Sequence, residues 1–299
     1  MKRLRRLSEQ LQILLLVTLP FAGFVYSMYL LWNQGVNWIY VGILLVFFFI
    51  TARGITIGFH RLFTHGSFET TRFIEAVLAI CGSMAIEGSL ESWVTRHRTH
   101  HTYADKPRDP HSPLHFEHTG KLSGLPRSIA MWFAPTLGFL WAHFLFFFFE
   151  KKLDVSAYRE RLREDGKQHL VIISKLFPVW VALSMVLPAA LGGLLTLSWH
   201  GVWLGFVWGC LVRVFLVHHM TWSVNSVCHM FGYRRYDTPD ASRNNALLGP
   251  ISGGEAYHNN HHRHPKSARH GLKWWEFDDS YWTIKLLELL GLARKVNTP

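Results

Sequence analysis

Cysteine is scarce in this 299-residue chain: Cys81, Cys210 and Cys228 stand far apart and form no C-x-x-C pair. That excludes a disulfide framework and a thiolate metal centre, so any metal site here should be rich in nitrogen. Acidic residues are also few, 20 Asp and Glu against 31 Lys and Arg, giving a formal net charge of +11. The excess is not gathered into a basic stripe, and no nucleic-acid motif is present, which excludes nucleic acid as the partner. An anionic membrane surface or an acidic partner accounts for the charge more economically. There is no internal repeat or low-complexity tract apart from a recurring histidine spacing.

Apolar residues are abundant. They make up 49% of the chain, with 13 Trp and 22 Phe, and they lie in long blocks. Mean hydropathy is only +0.11, so about half of the chain must be polar and outside a bilayer. The basic start, Met1 to Arg6, precedes an apolar run too long for a signal peptide and without a cleavage site. The blocks predict four membrane spans, at about residues 11–32, 38–59, 170–191 and 199–220. Residues 132–149 reach spanning length, but counting them would separate the histidine clusters across the membrane; they are expected at the interface. The connecting loops 33–37 and 192–198 carry no Lys or Arg and should face outward. The N-terminus and two polar segments, about 60–167 and 221–299, should form a cytoplasmic cap. The fold class is therefore an all-α integral membrane protein, a single domain over 1–299, whose cap holds a two-metal site. Arg53 and Arg213 are expected to snorkel to the cytoplasmic edge.

The chemistry lies in the histidines. His258, His261 and His262 share one helix face, His97, His100 and His101 repeat that spacing, and His60 and His65 form a looser pair at the end of a span. The last span, continued to His229, would be about 45 Å long and project Asn225 and His229 beside the pair of His60 and His65. Nine imidazoles exceed the needs of one four-coordinate zinc, whereas two metals with four or five nitrogens each use them all. Two redox-active irons with O2 can attack an unactivated C–H bond, and the adjoining membrane points to a lipid chain. Asn225, one turn before His229, can hold a water at an open coordination position. His115, His118, His169, His200 and His270 read as solvated, His218 and His219 as interfacial, and His111, His143 and His264 as candidates to support ligands. Asp105, Asp109, Glu91 and Glu255 are solvated by default, but beside ligands they could fix an imidazole tautomer. A membrane hydroxylase would use similar boxes, and a histidine-rich transporter would place its ligands within the spans instead.

The boxes HRLFTH, HRTHH and HNNHH, with NSVCH and the tail segment Ser267–Glu276, resemble the membrane fatty acyl desaturases, particularly bacterial stearoyl-CoA desaturase-like delta-9 enzymes. The resemblance runs from about Gly54 to Leu292. It implies a mushroom-shaped helical fold, two non-haem irons and a kinked acyl tunnel. It also implies O2 and two electrons giving a cis double bond and water. Carried over residue by residue, it places metal ligands at His60, His65, His97, His100, His101, His229, His258, His261 and His262. A water-holding amide falls at Asn225, and a tunnel-wall aromatic at Trp93. Thr95-Arg96 departs from the Arg-Asp that animal acyl-CoA enzymes carry before the second box, which leaves the acyl carrier open among CoA, acyl carrier protein and lipid. No fused electron-carrier domain is visible at either terminus, so a separate donor of ferredoxin, rubredoxin or cytochrome b5 type is expected. The active site is expected on the cytoplasmic face of a bacterial inner membrane.

Overall fold

The computed structural model describes residues 2–116, 127–149 and 153–299 and is helical through most of its length. Helix α1 (Lys2–Gln34) is joined by the uncharged loop to α2 (Trp38–Arg53), whose N-terminus is capped by the Asn37 side chain accepting from the Ile39 N–H. At Gly54 the second helix does not stop. It widens into a π-helix over Gly54–Thr64, so the apolar rod extends to Trp38–Thr64. The last rod is built the same way: α10 (Trp199–Phe206), a π-helical stretch Val207–Val212, and α11 (Arg213–Met230) form one 32-residue unit. At 1.5 Å per residue that is about 48 Å, well beyond a hydrocarbon core of about 30 Å. Both rods are therefore longer than a hydrocarbon core is thick.

Among the described residues, five helices are long and apolar enough to cross a membrane: Gln10–Gln34, Trp38–Thr64, Trp132–Phe149, Phe177–Thr196 and Trp199–Met230. The third predicted span begins later than expected. Residues 168–175 form a separate helix, α8 (Gln168–Lys175), and the spanning helix α9 starts at Phe177 with Pro178 in its first turn. Leu170 and Val171 are fully buried in a core with Phe59, Val94 and Ile284, which sets this stretch apart from the long apolar helix that follows. A second core, including Ile43, Phe47, Val207, Trp208 and Val212, lies between the spans.

Helix α3 (Arg72–Ser83) folds back along the π-helix. Gly54 and Gly82 permit that contact: a Cβ on Gly54 would lie 2.1 Å from the Gly82 nitrogen. Helix α4 (Leu90–Tyr103) follows, capped by the Ser89 side chain, and then α5 (Arg127–Leu140), α6 (Phe146–Phe149) and α7 (Ser156–Glu164). Strand β1 (Glu69–Thr70) pairs antiparallel with β2 (Ala293–Arg294), tying the C-terminal end to the segment after His65.

Neither arginine expected to snorkel does so. Arg213 is completely buried and donates to the Met84 carbonyl at 2.8 Å and the Gly209 carbonyl at 3.2 Å, with Ser184 also bound. Arg53 is buried against Asp279. Glu91 is likewise buried rather than solvated, its carboxylate held by Arg159 at 2.6 Å and away from the imidazoles. In each case a backbone or ion-pair partner satisfies the charge inside the protein, so the side chain has no need to reach water.

Candidate metal centre

Four elements deliver imidazoles to one place: the π-helix end, α4, the end of α11, and the short helix α12 (His258–Arg263). The π-helix explains the looser first pair. In an α-helix residues five apart diverge by about 140° around the axis. An i→i+5 ladder stacks them instead, and the His65 N–H donates to the His60 carbonyl at 3.2 Å. The two rings meet edge to face, 4.9 Å between centroids.

The nine predicted imidazoles fall into two groups, His60, His65, His97, His101 and His261 in one and His100, His229, His258 and His262 in the other. Within each group the candidate donor atoms all lie within 4.8 Å of one another. In the first, the Nε2 atoms of His60, His261, His101 and His97 follow one another at 3.1, 3.0 and 3.1 Å. In the second, His262 Nε2 lies 3.0 Å from His258 Nε2 and 3.4 Å from His100 Nε2. His229 thus stands with the second group rather than beside His60 and His65, and among the described residues the buried Nε2 atoms of His65 and His229 have no hydrogen-bond partner.

Carboxylates behind the rings set the tautomers. Nδ1–H of His60 donates to Glu255 at 2.5 Å, that of His100 to Asp109 at 3.0 Å, of His229 to Asp105 at 2.7 Å and of His262 to Asp240 at 2.9 Å. With Nδ1 protonated, each of these rings turns an Nε2 lone pair inward. Burial, reinforced by the neighbouring imidazoles, holds His65, His97, His101, His258 and His261 well below the usual histidine value. Burial also lowers His262 to about 4. Those six rings are thus neutral at pH 7. Nitrogen lone pairs converging without protons fit a cation at each focus, and an all-imidazole donor set fits a divalent transition metal.

Asn225 and Trp93 face the same space. A cavity is lined by Ile55, Met220, Val224, Trp93, His97 and Asn225 among others. A second hollow, which also borders Trp93, His97 and Asn225, continues toward Arg96, His111 and Phe147. Trp93 stacks on His97 with centroids 5.0 Å apart, and its indole N–H donates to buried Glu87 at 3.0 Å.

Other placements differ from expectation. His270 is buried, not solvated: its ring lies 4.6 Å from that of His261, and its Nδ1 lies 3.3 Å from Glu255. His115 stacks on Trp141 at 3.7 Å, and His169 pairs with Glu75 at 3.1 Å, so neither is simply solvated. His218 is fully buried and bonded to the Ala85 carbonyl rather than interfacial. His111 stacks on His100 at 4.4 Å and can support it. His143 bonds instead to Ser226 and His219, and His264 packs on Tyr236, so neither touches a cluster. His118 lies outside the described residues. Asp105, Asp109 and Glu255 take the tautomer-fixing role rather than the solvated one.

Sequence reasoning missed Asp240, Arg61 and Glu87. Completely buried Arg61 joins Glu255 at 3.1 Å to Asp278 at 2.9 Å, bracing the carboxylate behind His60. Its position inside the HRLFTH box was the available signal. Asp240, in an irregular loop, offered none.

The comparisons with known proteins agree with this geometry. The fatty acid desaturase family model matches residues 37–287. The sn-1 stearoyl-lipid 9-desaturase of Synechocystis sp. is 37% identical over 269 residues, 89% of this chain and 74% of that protein. The sn-1 stearoyl-lipid 9-desaturase of Anabaena variabilis is 38% identical over 87% of this chain and 85% of its own. A hex-5-enoyl-[acyl-carrier protein] acetylenase of Moorena producens is 35% identical over 96% of this chain and 85% of its own. A nitrogen-lined double cluster beside an apolar cavity, carried on membrane-length helices and matched by the family over most of its length, places this chain in the fatty acid desaturase family.

Proposed function

We propose that this fatty acyl desaturase introduces a cis double bond at the delta-9 position of a saturated acyl chain esterified to a membrane lipid. The nine imidazoles hold two non-haem irons, five on one and four on the other, with Asn225 placing a water by the four-nitrogen group. The observation that carries this reading is the division of the imidazoles into two convergent groups on the wall of an apolar cavity. The two relatives named as stearoyl-lipid 9-desaturases support the lipid carrier and the position. Arg96, where animal acyl-CoA enzymes carry aspartate, supports it too.

When bound, two irons supply, with O2 and two external electrons, the oxidising power to remove two hydrogens from the chain and leave a double bond and water. The protein's own residues do the rest. Ile55, Met220 and Val224 exclude water and hold the methylene chain. Trp93, fixed by Glu87 and stacked on His97, sets how close the chain lies to the imidazoles. Glu255, Asp105, Asp109 and Asp240 hold four rings in the ligating tautomer. A separate carrier of ferredoxin, rubredoxin or cytochrome b5 type brings the electrons.

The chain crosses the membrane four times, with the site on the cytoplasmic face. Residues 132–149 lie along that face rather than across the bilayer. Their contacts support this: Gly138 touches Pro113, His143 bonds Ser226, and Phe146 meets His111, all at the level of the metal centre.

The test is expression in a host lacking delta-9 unsaturation, with gas chromatography of each separated lipid class. New monounsaturated chains should appear on intact lipids while new chain synthesis is blocked. Oxygenated chains, or no change with iron loaded, would overturn the reading.

A further inference from the structure

Helix α13 (Asp279–Leu289) carries two apolar stripes. One, with Ile284 and Leu287, packs into the cap core. The other, Trp282, Leu286 and Leu289 with Leu290 just beyond, has the i, i+4, i+7 spacing of a single face and is exposed, Leu289 at 83%. Beside it stand Trp274, 90% exposed, and Trp275, while Phe277 packs on Trp282 with centroids 4.5 Å apart. A cap surrounded by water has no reason to show so many large apolar side chains together.

The depth of α13 identifies what covers them. Its first residues are fastened to the second rod: Asp279 pairs with Arg53, and the Ser280 and Thr56 hydroxyls are 2.9 Å apart. Trp38 marks the outer end of that rod, and at about 1.5 Å per residue Arg53 and Thr56 stand about 22–27 Å along it, against a core of about 30 Å. Helix α13 therefore starts at the cytoplasmic edge of the hydrocarbon, continuous with the lipid-facing surface of the spans. Tryptophan with a flanking cation, here Lys273 beside Trp274, suits the headgroup boundary.

We infer that the outward stripe of α13, with Trp274 and Trp275, is a membrane-interface anchor that seats the C-terminal part of the cap on the lipid of the cytoplasmic leaflet. The anchor is joined to the metal centre through a chain of three side chains. Asp278 caps α13 by accepting from the Tyr281 N–H at 2.9 Å and also binds Arg61, which braces Glu255 behind His60. The inference concerns where the helix lies and stands whether or not the chemistry is desaturation.

The test places a nitroxide label on Trp282→Cys, Leu286→Cys and Leu289→Cys in the full chain in lipid nanodiscs, with Val46→Cys as the lipid-facing reference and Lys295→Cys as the aqueous one. Wild type treated with the same label corrects for Cys81, and unchanged bound iron shows that each variant is folded. Relaxation by O2 should exceed that by a water-soluble nickel complex severalfold at the α13 positions, as at residue 46. Nickel relaxation equal to that at residue 295 would overturn the inference in favour of an aqueous surface. Protection from both reagents would overturn it in favour of a protein partner or a second copy.

Discussion

At the scale of single residues the centre depends on carboxylates as much as on imidazoles. Asp240 touches the cavity nowhere, yet it fixes which nitrogen of His262 points inward. Asp240→Asn keeps the shape and removes the charge, and should weaken metal binding about 10–100-fold, read by competition with a chelator. His200→Ala, at the opposite end of the last rod, should leave metal affinity unchanged in the same assay. The buried imidazoles also set a pH limit. His65, His97, His101, His258 and His261 are depressed below the unfolded value of about 6.5, so the unfolded chain binds more protons than the folded one at acid pH. Stability of the metal-free protein should be level above about pH 6.5 and fall as pH drops below it. Thermal unfolding across pH 7.5 to 5 checks this; a transition that rises on acidification would contradict it.

At the scale of elements the decisive feature is the π-helix. Two histidines five apart looked like a loose box because α-helical geometry separates them, and nothing in an apolar run announces an i→i+5 ladder. The tight boxes were legible because i, i+3, i+4 spacing survives in any α-helix, and α4 and α12 keep it. Long apolar runs likewise gave the rods. What they did not give was the break before Phe177, because periodicity cannot separate a span from a core helix such as α8 that joins it end to end. The π-helix is held by α3 through facing glycines, so Gly54→Ala should push α3 outward and destabilise the protein by about 1–3 kcal/mol or more. A lowered melting temperature together with lost metal would show that this contact sets the separation of His60 and His65. An unchanged melting temperature would contradict it.

At the scale of the whole molecule two long apolar rods each end in ligands, and shorter helices supply the rest. Distant segments meet there: His60 with His261, His100 with His262, and His229 with Asp105. Which segments meet was legible from the ligand count and the repeated histidine spacing. Which imidazole joins which group was not, since that depends on the rotation of four helices about their axes. The burial of His270 and Arg61 was equally hidden, because both sit in segments whose polarity reads as solvated.

The division into two groups is the central claim, and metal stoichiometry tests it most directly. Wild type purified in lipid should hold two irons per chain. His261→Ala should empty the five-nitrogen group and His258→Ala the four-nitrogen group, each leaving one iron, with no desaturation by either variant. A wild type saturated by a single metal, or either variant retaining two irons and full activity, would contradict the account.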